Sequence, residues 1–257
     1  MENFKKITTE LSHGEQVLKI TLNAPKGNVL DMAMMAEISN AVQTIARRAT
    51  VKAVVFEGAG SHFSFGASVP EHTRERVGNM LRSFHDLFRE LIALSKPCIA
   101  VARGQCLGGG LERAAFCHWI FASNEAQFGQ PEIKLAVFPP VASLVLPHRV
   151  GQSAADDLVL SGRSITAQQA MAIGLVHAID EKPDVLAMAF VEKNLLPLSA
   201  TALHFTVKSS RFQMHRAFLQ HIEAVEKMYV DELMQTDDAN EGIIAFLEKR
   251  QPVWKNE

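Results

Sequence analysis

Two carboxylates and two glycine-bearing turns hold the residue types best suited to chemistry. The richest stretch runs from Gly104 to Ala115, GQCLGGGLERAA. Glycines between a strand and a helix let the backbone approach a ligand closely. The N–H groups at a helix start lack intrahelical partners and carry positive partial charge. Such an N–H can polarise a carbonyl and hold the oxyanion that develops from it. Glu112 follows Gly109 by three positions, which on a helix puts its carboxylate on the same side, about one turn on. An electrophile held at Gly109 would then have a carboxylate within reach. The helix dipole alone also favours glutamate in a first turn, so the spacing leaves both readings open.

A second turn, Ser64-Phe65-Gly66-Ala67-Ser68, is either another source of a backbone donor or a plain surface turn. In Gly129-Gln130-Pro131-Glu132, proline fixes the chain just before a second carboxylate. That glutamate reads as a chemical group on a rigid turn, a helix-start residue or half of a surface ion pair. Gly58-Ala59-Gly60 follows a strand, but Phe63 stands where a dinucleotide-binding turn needs its third glycine. Signatures of P-loop, zincin, zinc-ribbon and α/β-hydrolase chemistry are missing. The ten histidines show no ligand spacing, so no metal is expected. His62 and His72 flank the Ser64–Ser68 turn and are expected to pack or face solvent. Cys106 reads as a small buried side chain.

These segments must be positioned by regular elements. Gln16 to Leu22, Lys52 to Phe56, Cys98 to Val101, His118 to Ala122 and Val176 to Ile179 read as strands. Apolar residues at helical spacing predict helices over Asp31 to Arg47 and Val77 to Leu94. Thr166 and Gln169 have capping-box spacing, and Gly174 should stop the helix they start. From Val185 to Glu248 the pattern is helical, with breaks near Pro197 and Thr236. Strand–helix alternation followed by helices predicts an α/β core with a C-terminal helical section.

Composition narrows the partners. The chain has 257 residues, 47% of them hydrophobic and 21% charged, which suits a globular protein with a real core. Lys plus Arg number 26 against 28 Asp plus Glu, so the net charge is −2. That balance argues against partners chosen by bulk charge, such as nucleic acid or an anionic membrane. Three cysteines suggest no disulfide framework and a reducing, cytoplasmic setting. The N-terminus lacks a signal-peptide core, and the longest uncharged apolar stretch, Leu135 to Pro147, is broken by three prolines.

Taken in order, HFSFGAS at 62–68, GQCLGGGLE at 104–112, AQFGQPEI at 126–133, SGRSITAQQAMAIGLV at 161–176 and AFLEKRQPVW at 245–254 resemble the crotonase, or enoyl-CoA hydratase/isomerase, superfamily. The likeness covers nearly the whole chain. FGAS, the following Val69-Pro70-Glu71-His72 and PEIKLAVFPPVASLVLP look most like the cyclic dienoyl-CoA hydratase branch, which acts on cyclohexa-1,5-diene-1-carbonyl-CoA in anaerobic benzoyl-CoA degradation. The resemblance implies an α/β fold, a crotonase-type spiral of ββα units over residues 1–195, with a C-terminal helical trimerisation section over 196–257. It implies backbone N–H donors at Ala67 and Gly109, and Glu112 and Glu132 as the acid–base pair of a hydro-lyase. CoA contacts are implied at Lys26, Phe246 and Lys249, the latter two reaching a neighbouring subunit's ligand. It further implies an acyl-CoA thioester substrate, no separate cofactor, and a homotrimer or hexamer. Ser68, Arg113 and Pro140 depart from the pattern of ordinary hydratases, as a ring-shaped pocket would explain. Alternatives are an ordinary short-chain enoyl-CoA hydratase or isomerase, and a non-catalytic binding protein of the same fold.

Overall fold

The computed structural model describes residues 4–24 and 26–257. Its strands are β1 (Ile7–Ser12), β2 (Val17–Leu22), β3 (Ala53–Gly58), β4 (Cys98–Ala102), β5 (Gln105–Leu107), β6 (Trp119–Ala122), β7 (Gln127–Gly129), β8 (Ser164–Thr166) and β9 (Ala178–Ile179). The helices are α1 (Met32–Ala41), α2 (Val77–Leu94), α3 (Gly109–Phe116), α4 (Pro140–Val150), α5 (Gln152–Ser161), α6 (Ala167–Ala172), α7 (Pro183–Asn194), α8 (Ala200–Ser210), α9 (Phe212–Lys227) and α10 (Asp237–Glu248).

The larger sheet has the order β1-β2-β3-β4-β6-β9, parallel from β2 onward. Its apolar runs are buried on both sides, as parallel sheets require. Leu18, Ile20, Val54, Phe56 and Ala100 face the main core, under α1, α2 and α3. The alternating residues Val17, Val55, Ile99, Val101 and Phe121 face a second core closed by α7 and by Leu203 of α8. β1 pairs antiparallel with β2 at the sheet edge, and its polar sequence ITTELS hides it from hydrophobic patterning. Helix α2 forms over the residues expected from the sequence, with Met80, Leu81, Phe84, Leu87, Phe88 and Leu91 buried. The Asp31–Arg47 helix is shorter than expected: Asp31 is its N-cap, and after Ala41 it continues as a π-helical turn to Ala46. The capping box of Thr166 and Gln169 is present. Helices after residue 195 share the main core through Met214, Phe218 and Ile222 of α9.

A smaller sheet, β5-β7-β8, positions the candidate residues. β5 and β7 run parallel, with Leu107 opposite Gly129. A parallel bridge between Ser64 and Cys106 sets a third extended segment beside β5. Three segments therefore leave the same end of the sheet together: the one carrying Ala67, the one entering α3, and the one leading to Glu132. The C-terminal ends of parallel strands are where α/β folds commonly hold ligands.

Candidate active site

The first donor follows from hydrogen-bond alternation. Leu30 N–H donates to the Gly66 carbonyl at 2.9 Å, and Ser68 N–H donates to the Leu30 carbonyl at 3.1 Å. Both neighbours of Ala67 thus pair on one side, and the Ala67 N–H points to the other. Asn28 and Ser64 hold this turn from below. Buried Asn28 donates to the carbonyls of Ala59 and His62, while the Ser64 hydroxyl donates to Asn28 and accepts from Gly66 N–H. The second donor is Gly109, the first residue of α3, whose N–H belongs to the unsatisfied set of a helix start. Among the described residues neither amide donates to another group. The two lie close, since a Cβ built on Gly109 would stand 3.2 Å from the Ala67 nitrogen.

Gly108 makes the approach possible. Its φ of +51° and ψ of −130° lie where only glycine is comfortable. A Cβ there would also come within 2.7 Å of Glu132 Oε1. The glycine run thus frees the helix amides and leaves room for a carboxylate.

Glu112 is 3% exposed and accepts a 2.7 Å hydrogen bond from Ala142 N–H. That amide belongs to the first turn of α4, where Pro140 at the first helical position removes no needed donor. Burial pushes the Glu112 pKa up to about 7, and the α4 amides of Ala142 and Val141 oppose the shift. Glu132 lies on the 3-10 turn Pro131–Leu135. Burial, then the negative charge of Glu112, hold its pKa well above the ordinary carboxylate range. The Gln130 side-chain amide lies 3.0 and 3.1 Å from the two Glu132 oxygens. One carboxylate thus rests on a helix N-terminus and ionises first, while its neighbour keeps a proton.

Two neighbouring cavities surround these groups. The inner one, about 20 Å³, is bounded by Gly109, Glu112, Glu132, Phe84, Pro140 and Tyr229. The outer one, about 480 Å³, is walled largely by apolar residues such as Val29, Val69, Leu135 and Val137. Ala67, His72 and Glu132 border both. His72 thus packs into the wall of the site, as one of the two expectations had it. Its Nδ1 bonds the Ser68 carbonyl at 2.8 Å, and burial lowers its pKa, so the neutral ring donates through Nδ1. His62 instead accepts from Gln105 N–H and stacks edge-on against Phe65.

Lys26 lines a separate cavity of about 300 Å³, beside Asn28 and His62. The Phe65 ring, which borders the outer cavity, packs on Gly27 next to it. Phe246 borders the outer cavity, because α10 folds back over the Pro131–Leu135 turn. Lys249 caps the end of α10 in a left-handed conformation with its side chain exposed. Of the departures, only Pro140 borders the reacting groups. Arg113 points into the core, its guanidinium 3.6 Å from the centre of the Phe56 ring, and cannot shape a ligand pocket. Tyr229 escaped the sequence reading, since a lone tyrosine in a helical tail has no motif around it.

Two convergent amides beside a carboxylate pair, one ionised and one protonated, define a site for acid–base chemistry next to a polarised carbonyl. Residues 12–257 match the enoyl-CoA hydratase/isomerase family, and the chain belongs to it. It is 43% identical over 246 residues to the cyclohexa-1,5-dienecarbonyl-CoA hydratase of Thauera aromatica, covering 96% of this chain and 95% of that one. It is 33% identical over 248 residues to the 2,3-dehydroadipyl-CoA hydratase of Escherichia coli, covering 95% and 97%. An enoyl-CoA hydratase structure from Mycobacterium avium superposes with a TM-score of 0.86 at 25% identity, over 98% of this chain and 99% of that one.

Proposed function

We propose that the protein adds water to cyclohexa-1,5-diene-1-carbonyl-CoA, forming 6-hydroxycyclohex-1-ene-1-carbonyl-CoA. The observation that carries hydration is the unequal carboxylate pair at a water-sized pocket, next to an apolar cavity and two free amides. The ring substrate is supported by the 43% identity to the Thauera enzyme, against 33% to a hydratase of an open-chain thioester.

The thioester carbonyl accepts from the Ala67 and Gly109 N–H groups. Glu112 takes a proton from water, whose oxygen bonds to a ring carbon β to the thioester. The electrons of that double bond move onto the thioester oxygen, where the two amides hold the charge. They return through the second double bond to the far end of the diene, which takes the Glu132 proton. One α,β double bond remains, and a proton passing from Glu112 to Glu132 resets the pair. Donors of this kind are each worth roughly 10²–10³ in rate. The reading uses no cofactor besides the CoA of the substrate. It includes contacts from Lys26, Phe246 and Lys249 to CoA, a trimer or hexamer built on residues 196–257, and a cytoplasmic setting. No helix among the described residues is long and apolar enough to cross a membrane.

An ordinary enoyl-CoA hydratase is the second reading, favoured by a probable enoyl-CoA hydratase of Bacillus subtilis at 32% identity. Comparing kcat/KM on the cyclic dienoyl-CoA and on crotonyl-CoA separates the two. A preference for the ring of roughly 100-fold or more is expected, and hydration of crotonyl-CoA alone overturns it.

A further inference from the structure

Tyr229 sits in the π-helical turn Met228–Glu232 between α9 and α10, and is 1% exposed. Its ring packs edge-on against Phe138, with centroids 5.1 Å apart. Its hydroxyl is buried and has no hydrogen-bond partner among the described residues. A buried polar group left unpaired destabilises the fold, and phenylalanine would fill the same wall without that cost. Tyr229 borders the inner cavity that Glu112 and Glu132 share. A cavity of about 20 Å³ has room for about one water, and a buried water needs two to four polar partners. Glu112, Glu132 and Tyr229 supply three.

We propose that Tyr229 is a catalytic residue: its O–H donates to the oxygen of the reacting water and keeps that bond to the hydroxyl of the product. The proposal rests on the hydratase reading above. A water oxygen has two lone pairs. One accepts from Tyr229 and the other attacks carbon, while one hydrogen leaves to Glu112. As that proton departs, charge grows on the oxygen, and the phenol is placed to hold it. In the reverse direction the same bond steadies the departing oxygen. Burial and the two carboxylates raise the Tyr229 pKa, so the phenol stays a donor across the neutral range.

Tyr229→Phe keeps the ring and removes only the orphan hydroxyl, so the variant should fold with an unchanged or higher Tm. Expected is a fall in kcat of roughly 10- to 100-fold, with KM within about twofold of wild type. A crystal structure of the wild type should hold a water bonded to Tyr229 Oη and Glu112, and the variant should lose it. A kcat within about twofold of wild type overturns the proposal. A raised KM with unchanged kcat overturns it too, because the phenol would then hold the acyl group. The ring thioester and crotonyl-CoA are assayed in parallel. Wild type that hydrates only crotonyl-CoA overturns the ring reading, and the Tyr229→Phe ratio on crotonyl-CoA then decides the role of the phenol. Wild type that hydrates neither overturns both.

Discussion

The two cavities meet at Ala67, His72 and Glu132 yet are built on opposite principles. The inner cavity, about 20 Å³, is bordered by Glu112, Glu132 and Tyr229, whose hydroxyl has no hydrogen-bond partner among the described residues. The outer one, about 480 Å³, is mostly aliphatic wall. Buried acids are ordinarily paired with cations. Among the described residues no cation offsets either glutamate, and burial dominates both. Polar groups are concentrated where they are hardest to keep charged, and that is what lets one of them hold a proton at neutral pH. The outer cavity supplies area for binding and little chemistry.

The sharpest break of this division comes from the carboxylates. Glu112→Gln and Glu132→Gln should each lower kcat by roughly 10²–10⁴-fold while the outer cavity still binds thioester. Wild-type kcat/KM should rise with pH through about 7 as Glu112 loses its proton, then fall as Glu132 loses its own. Stability should move the other way. The folded state holds the Glu112 proton more tightly than the unfolded chain does, so this group's contribution is full at low pH and is lost as pH rises through about 7. Glu112→Gln should therefore gain stability relative to wild type between pH 5 and 8, measured by urea midpoints. Near-wild-type turnover in both variants would remove the two-carboxylate mechanism.

A smaller effect should follow at the seam between the cavities. Gly108→Ala puts a side chain into a glycine-only conformation and 2.7 Å from Glu132 Oε1. Strain of this kind costs of order 1–3 kcal/mol. Urea unfolding should register that loss, and kcat should fall roughly 10- to 100-fold as Glu132 shifts. A destabilised variant with normal kcat would show that the turn and the acid are uncoupled.

What the sequence made legible tracks how local each cause is. Helix α2 announces itself because its apolar face repeats over eighteen residues. The segments carrying Ala67, Gly109, Glu112 and Glu132 were legible because each is marked by glycine or proline, while the roles of the four residues came from the resemblance. The three-residue strands β5, β7 and β8 were not, being too short to show a period, although their register brings the turns together. That Tyr229 and His72 border the site was hidden for a related reason. His72 follows the Val69–Glu71 turn and Tyr229 lies in the Met228–Glu232 turn, so each borders the site through the packing of segments far apart in sequence, which no local spacing encodes. The Asp31–Arg47 helix was overextended because a π-helical turn keeps apolar residues facing the core while the α pattern ends.

The mildest test concerns the outer wall. Phe246 on α10 borders the outer cavity and is 53% exposed. Its half-exposed ring adds little to the core, so Phe246→Ala should leave Tm nearly unchanged. Truncation removes apolar surface that a bound ligand would cover, worth about 1 kcal/mol, or about fivefold in affinity. It does not border the inner cavity, so the loss should appear in KM while kcat stays within about twofold. The opposite split, a kcat that drops tenfold at constant KM, would mean that α10 helps to set the geometry around Glu132. The outer cavity would then be part of the chemical machinery, because the Pro131–Leu135 turn under α10 carries that carboxylate.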